Sequence, residues 1–178
     1  MRELDSLQQI LGFSFKDVSL LRQALTHPSY ANEDPQGQFR SNERLEYLGD
    51  TLLGFIVGWE LYERFPALSE GELTKLRASL VCRENLARLA NKFDLGNYIF
   101  LGKGEEKCGG RQKLKILASC LEAIIGAAFV DQGFEAARKL VRGILGEDLG
   151  EVVERKVEDP CLDYRSSFRP SSDFPPYL

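Results

Sequence analysis

Residues 42–65 read NERLEYLGDTLLGFIVGWELYERF. Apolar side chains occupy nearly every helical register of this stretch rather than one stripe, so it reads as a long helix enclosed by others. Ser41 or Asn42 offers an N-cap, and Pro66 stops the helix at about Phe65. The flanking sequence supplies the partners. On the N-terminal side, Leu4, Leu7 and Leu11 recur at helical spacing as far as Gly12, and a second helix carries Leu20, Leu21, Ala24 and Leu25. His27-Pro28-Ser29-Tyr30 reads as an extended turn, and Glu33 to Arg40, with Asp34-Pro35 and Gly37, as a loop.

On the C-terminal side, Ser69-Glu70-Gly71-Glu72 opens a helix predicted to run unbroken to Leu95-Gly96. Its inner face is Leu73, Leu76, Leu80, Leu86, Leu89 and Ala90. A Gly-rich connector spans Gly102 to Gly110. Leu114 to Phe129 then forms a largely apolar helix suited to the centre of a bundle, closed by Asp131-Gln132-Gly133. A last helix is expected from Phe134 to about Glu154, with Leu140, Ile144 and Leu145 inward. The sequence shows no internal repeat and no strand pattern, which gives an all-α helical bundle.

The chain has 178 residues, 43% apolar and 28% charged, enough for one compact domain and a tail. No apolar run approaches the ~20 residues that cross a bilayer, and the N-terminus is polar and periodic, so a soluble, cytoplasmic protein without membrane association is expected. Cys82, Cys108, Cys120 and Cys161 are scattered, without the paired spacing of a zinc site or redox couple, and read as reduced thiols. A net charge of -4 argues against a protein that coats nucleic acid non-specifically, but agrees with a carboxylate cluster flanked by basic patches.

Glu43, Glu46 and Asp50 stand at i, i+3 and i+7, which stacks three carboxylates along one helical stripe. The stripe is either a solvated acidic face or a ligand set. Interleaving with Leu45, Tyr47, Leu48, Leu52 and Leu53 favours the second, because carboxylates on so apolar a helix need a partner, and a hard cation such as Mg²⁺ takes carboxylate oxygens. Glu122 lies alone in the apolar run Ile116 to Phe129, where an unpaired charge costs several kcal/mol. Either an ion pair with Arg44, Lys75 or Arg77 compensates it, or a metal does.

The segment NERLEYLGD closely resembles the signature of the ribonuclease III family, and five further blocks match in order. They are HPSYANE (27–33), EGELTKLRASLV (70–81), LGKGEEKCGGR (101–111), ILASCLEAIIGA (116–127) and DQG (131–133). The resemblance covers roughly residues 5–150 and implies the ribonuclease III nuclease-domain bundle over residues 1–156. It implies a homodimer that cleaves double-stranded RNA by metal-assisted hydrolysis, leaves 5′-phosphate and 3′-hydroxyl ends, uses Mg²⁺ or Mn²⁺, and serves rRNA and mRNA processing. Position by position, Glu46, Asp50 and Glu122 match metal ligands, with Asp50 and Glu122 also the catalytic carboxylates, and Glu43 and Glu70 match accessory acidic residues. Tyr47 falls where the family usually has a Phe that plugs into the partner subunit. Lys75, Arg77, Lys103 and Arg111 lie in matching blocks as candidates for RNA phosphates. The single histidine, His27, is either a general base or a residue that holds its turn against the core, and the second is favoured because a metal makes a base unnecessary.

Two departures stand out. The family's block reads A-D-x-x-E, whereas this chain reads Ala118-Ser119-Cys120-Leu121-Glu122, so Ser119 replaces a carboxylate ligand. Disturbing even a supporting residue around a metal costs ~10–100-fold, so losing a ligand should cost at least that. Cys120, soft and off the stripe, is no substitute. Lys115 stands where the family commonly has Ser. The implied function is an endonuclease with reduced activity; the alternative is a catalytically inactive homologue that binds RNA or dimerises. At the C-terminus, Asp163-Tyr164-Arg165 is similar to the opening of a double-stranded-RNA-binding domain, but residues 157–178 carry no periodicity and are expected to be a disordered or truncated linker tail, with truncation or a frame change near Ser166.

Overall fold

The computed structural model describes residues 4–158, with side chains as far as Gly146. The helices in chain order are α1 (Leu4–Leu11), α2 (Val18–Ala24), α3 (Pro28–Asn32), α4 (Glu43–Arg64), α5 (Glu70–Val81), α6 (Arg83–Lys92), α7 (Lys103–Lys107), α8 (Leu114–Gln132) and α9 (Phe134–Glu158). Among the described residues, the only strand-like pairing is an isolated bridge between Thr26 and Phe100. The fold is all-α, as the patterning requires. A compact unit ends at Gly146, and the α9 backbone continues beyond it to Glu158 in a second unit. The expected tail lies outside the described residues from 159 onward.

α8 is the central helix. Ile116, Leu117, Ala118, Cys120, Leu121, Ala123, Ile124 and Ile125 are all buried, consistent with an element surrounded by α2, α4 and α6. α4 packs along it through two glycines. A Cβ added at Gly49 would lie 1.7 Å from the Glu122 carbonyl oxygen, and one at Gly126 would lie 2.2 Å from that of Leu45. The two backbones therefore approach where only glycine fits, which brings α4 positions 46 and 50 beside α8 positions 119 and 122.

Three segments differ from the sequence reading. His27 to Tyr30 is not an extended turn: Pro28 begins a short helix and His27 caps it, because proline is preorganised for a first helical position. The helix expected from Glu70 to Leu95 breaks at Cys82, whose backbone is extended at φ -66° and ψ 152°. The Asn85 amide donates to the Leu80 carbonyl at 2.8 Å and satisfies the end of α5, so the break needs neither glycine nor proline. The Gly-rich connector contains α7, whose first amide, Lys103 N, donates to Glu33 Oε2 at 3.0 Å. Asn42 precedes α4 without a side-chain cap bond; it is 2% exposed and its amide donates to the Ala24 carbonyl at 3.3 Å.

Candidate active site

The α4–α8 crossing opens into a cleft of about 700 Å³. Glu43, Glu46, Tyr47 and Asp50 line it from α4, Lys115, Ser119 and Glu122 from α8, and His27, Glu105 and Lys113 from the segments beside them. The stripe read from sequence and the lone carboxylate of the apolar helix thus meet on one cavity. Lys113 is held on Glu105 at 2.5 Å.

The carboxylates are unequally satisfied. Ser119 Oγ donates to Glu46 Oε1 at 2.7 Å, which engages one Glu46 oxygen. Glu122 forms no ion pair among the described residues, so the pairing with Arg44, Lys75 or Arg77 considered above is not made. Burial pushes its carboxyl up to about 7, with Asp50 and Glu46 adding to the rise and Arg83 opposing it. Cys120 points away: its thiol donates to the Ala24 carbonyl at 3.6 Å, and burial pushes its pKa up.

The donors around this cavity are oxygens, as a hard divalent ion requires. Among the described residues, no three acidic, histidine or cysteine side chains converge closely enough as they stand to grip an ion. The Ser119 bond gives a physical reason, since it engages Glu46 on a hydroxyl. The donor chemistry and the unanswered charge at Glu122 fit a divalent cation; full convergence needs side-chain rotation about α4 and α8.

The sequence pattern described as ribonuclease-III-like matches residues 17–149. The chain belongs to this family. It is 49% identical over 146 residues to ribonuclease 3 of Carboxydothermus hydrogenoformans, covering 82% of this chain and 62% of that protein. It is 42% identical over 167 residues to ribonuclease 3 of Pelotomaculum thermopropionicum, covering 94% of this chain and 68% of the other. The chain thus spans about three fifths of the length of the first of these relatives. Among solved structures, the nuclease domain of ribonuclease III from Campylobacter jejuni superposes with a TM-score of 0.75 at 42% identity, over 83% of this chain and 97% of that one. A second structure of that domain concerns flexibility in a region involved in its dimer formation.

Not every candidate residue of this family member reaches the cleft. Glu70 is exposed at the start of α5, where it accepts from Thr74 Oγ1 at 3.1 Å. Lys75 and Arg77 are exposed on α5, and Lys103 is exposed at the start of α7. Arg111 grips both Glu106 oxygens, at 2.7 and 2.6 Å, and donates to the Gly96 and Ile99 carbonyls, so it staples the segment before α8. Tyr47 is 77% exposed and begins a row on one α4 face with Phe55 and Tyr62, at 60% and 72%. The sequence reading missed the cleft positions of Lys113, Glu105 and His27. The sole available signal for His27 was its place in the H-P-S-Y block.

Proposed function

We propose that the chain is the nuclease part of a divalent-metal-dependent endoribonuclease that cleaves double-stranded RNA to 5′-phosphate and 3′-hydroxyl ends in RNA processing. The observation that carries this reading is the gathering of Glu46, Asp50 and Glu122 on one cleft, with Glu122 in no ion pair among the described residues and its pKa raised by burial. Glu46, Asp50 and Glu122 would hold Mg²⁺ or Mn²⁺, with Ser119 offering a neutral oxygen in place of the missing carboxylate. When bound, such an ion supplies Lewis acidity toward a phosphate and a lowered pKa for water. Glu43 adds negative charge beside the ligands, and Glu70, Lys75, Arg77, Lys103 and Arg111 keep their candidate roles outside the cleft, the first as accessory carboxylate and the others toward RNA phosphates.

Homodimer formation belongs to the same reading. An exposed aromatic row of Tyr47, Phe55 and Tyr62 is the kind of surface that a second copy covers, and Tyr47 adjoins the cleft. Among the described residues no helix is long and apolar enough to cross a membrane. A cytoplasmic location is part of the proposal.

A second reading is favoured by one observation, the Ser119 bond to Glu46. An aspartate at 119 would repel Glu46 unless a cation lay between them; the serine satisfies Glu46 without one. In that reading the chain is an inert homologue that binds RNA or pairs with an active subunit. Divalent-dependent cleavage of a long RNA duplex by the chain and by Ser119→Asp distinguishes the two. The nuclease reading predicts cutting by both, with Ser119→Asp faster by at least tenfold. Cutting by the variant alone establishes the inert reading, and cutting by neither removes the nuclease proposal.

A further inference from the structure

Beside its carboxylates the cleft is lined by nitrogen-bearing side chains of different chemistry. His27 lines it together with Lys113 and Lys115. His27 Nδ1 lies 3.2 Å from the Ser29 amide and 2.8 Å from Ser29 Oγ. The Ser29 amide can only donate, so Nδ1 is the acceptor there, and the Ser29 hydroxyl, whose oxygen also accepts the Gly102 amide at 2.9 Å, then gives its proton to the same nitrogen. Both neighbours therefore donate to Nδ1, and the neutral ring must carry its proton on Nε2. Burial lowers the pKa of the ring against the opposing pull of Glu105, Glu43 and Glu46, so the neutral form is favoured. The backbone beneath is fixed, since His27 N donates to the Phe100 carbonyl at 3.1 Å.

The Nδ1 edge is thus committed to capping α3, which leaves Nε2 as the ring nitrogen with a proton to donate into the cleft that His27 lines. Among the described residues nothing accepts from Nε2. A lysine at this position would be drawn into an ion pair, as Lys113 is with Glu105. A neutral N–H facing acidic residues escapes that capture and remains available to an incoming acceptor. It is also unsuited to act as a base, because its exposed nitrogen already bears a proton.

We propose that His27 is a substrate-positioning residue whose Nε2–H donates to an oxygen of the RNA sugar–phosphate backbone lying in the cleft it lines with Glu46 and Glu122. The inference rests on the duplex-RNA reading of the site. Phosphate oxygens and ribose hydroxyls share the acceptor chemistry it needs.

Two substitutions separate the cap from the cleft donor. His27→Asn keeps an acceptor near Nδ1, and Asn is among the preferred N-caps, but it is too short to replace Nε2. His27→Gln extends an amide toward the Nε2 position and vacates that of Nδ1. The full chain is titrated against a short RNA duplex by fluorescence anisotropy at low salt in EDTA, and each variant is melted in parallel. His27→Asn should weaken binding about five- to tenfold, the worth of one ordinary hydrogen bond, with its melting temperature and salt dependence unchanged. His27→Gln should bind within about twofold of the parent while melting lower. The same loss on a DNA duplex identifies a phosphate oxygen as acceptor, and a loss confined to RNA identifies the 2′-hydroxyl; both support the inference. Parental affinity in His27→Asn overturns it, as does equal weakening in both variants accompanied by equal loss of melting temperature. If the parent binds no duplex at all, the RNA reading of the site falls and this inference with it.

Discussion

Two glutamates withdrawn from water show how differently this bundle treats buried charge. Glu60 of α4 is 1% exposed and accepts from Arg138 Nε at 2.9 Å and Arg142 Nε at 2.8 Å, with Arg64 at 3.4 Å. Burial pushes its carboxyl up, but the Arg142 and Arg138 hydrogen bonds outweigh that and hold it below the usual carboxylate range. Arg138 in turn lies 4.1 Å from the centre of the Trp59 ring, which stacks on Phe134. Glu122 of α8 has carboxylates for neighbours instead, and its pKa rises to about 7. The first glutamate has its counterions built into the fold; the second makes no ion pair among the described residues. A half-buried carboxylate with no ion pair among the described residues, in a bundle that gives Glu60 two arginines, is what the proposed ligand site would require.

The largest effect tests the structural half of this contrast. Glu60→Ala takes the shared carboxylate from Arg142 and from Arg138, which keeps only the exposed Glu63, and should lower unfolding free energy by about 3 kcal/mol in urea denaturation, toward the low end for a broken buried pair because the arginines retain some solvent. Divalent-ion affinity should not change. A loss below about 1 kcal/mol, typical of surface pairs, would make Glu60 no different from an exposed carboxylate.

Glu122→Gln should act in the opposite direction. In the metal-free protein the folded chain keeps its Glu122 proton up to about pH 7, against an ordinary value of 4.5. Between these values the unfolded chain has released the proton and the folded chain has not, so stability falls as pH rises, and the full penalty stands above about pH 7. Removing the charge should therefore stabilise the metal-free protein at alkaline pH by roughly 1–2 kcal/mol, discounted because Glu122 retains some solvent contact, and flatten the pH dependence. The same variant should lose divalent-ion binding, which in the parent should strengthen as pH rises through 7 and the proton leaves. Destabilisation by Glu122→Gln in EDTA would show that the carboxylate has a structural partner after all.

The contrast also bears on what the sequence discloses. Both central helices, their apolar faces and the carboxylate stripe are legible, because burial imposes a period and a charge within an apolar run has to be explained. Glu60 is no less buried than Glu122, yet it sits among Glu63 and Arg64 in a segment that reads as an ordinary charged helix end. Its partners lie about 80 residues downstream, at Arg138 and Arg142. The break at Cys82 is equally hidden, since the apolar period continues across it and Asn85 does the capping. Gly49 and Gly126 are visible as letters, but their meaning is a contact between two backbones, which no local pattern encodes. The Ser119 substitution is plain in the sequence, whereas the hydroxyl's hold on Glu46 is a fact of packing.

The smallest effect sharpens the other half of the contrast. Among the described residues, Arg83, at the start of α6, opposes the rise of the Glu122 pKa, and it does so without an ion pair. Arg83→Ala should move the metal-free pH transition slightly upward and lower alkaline stability by less than Glu122→Gln raises it. Saturating Mg²⁺ should remove the difference between Arg83→Ala and the parent, because an ion at Glu46, Asp50 and Glu122 supplies far more positive charge than a remote guanidinium. Thermal melts across pH with and without Mg²⁺ measure this directly. If the Arg83 effect survives saturating Mg²⁺ undiminished, the guanidinium rather than an ion is the counterion of Glu122, and Glu122 becomes a second, weaker version of Glu60.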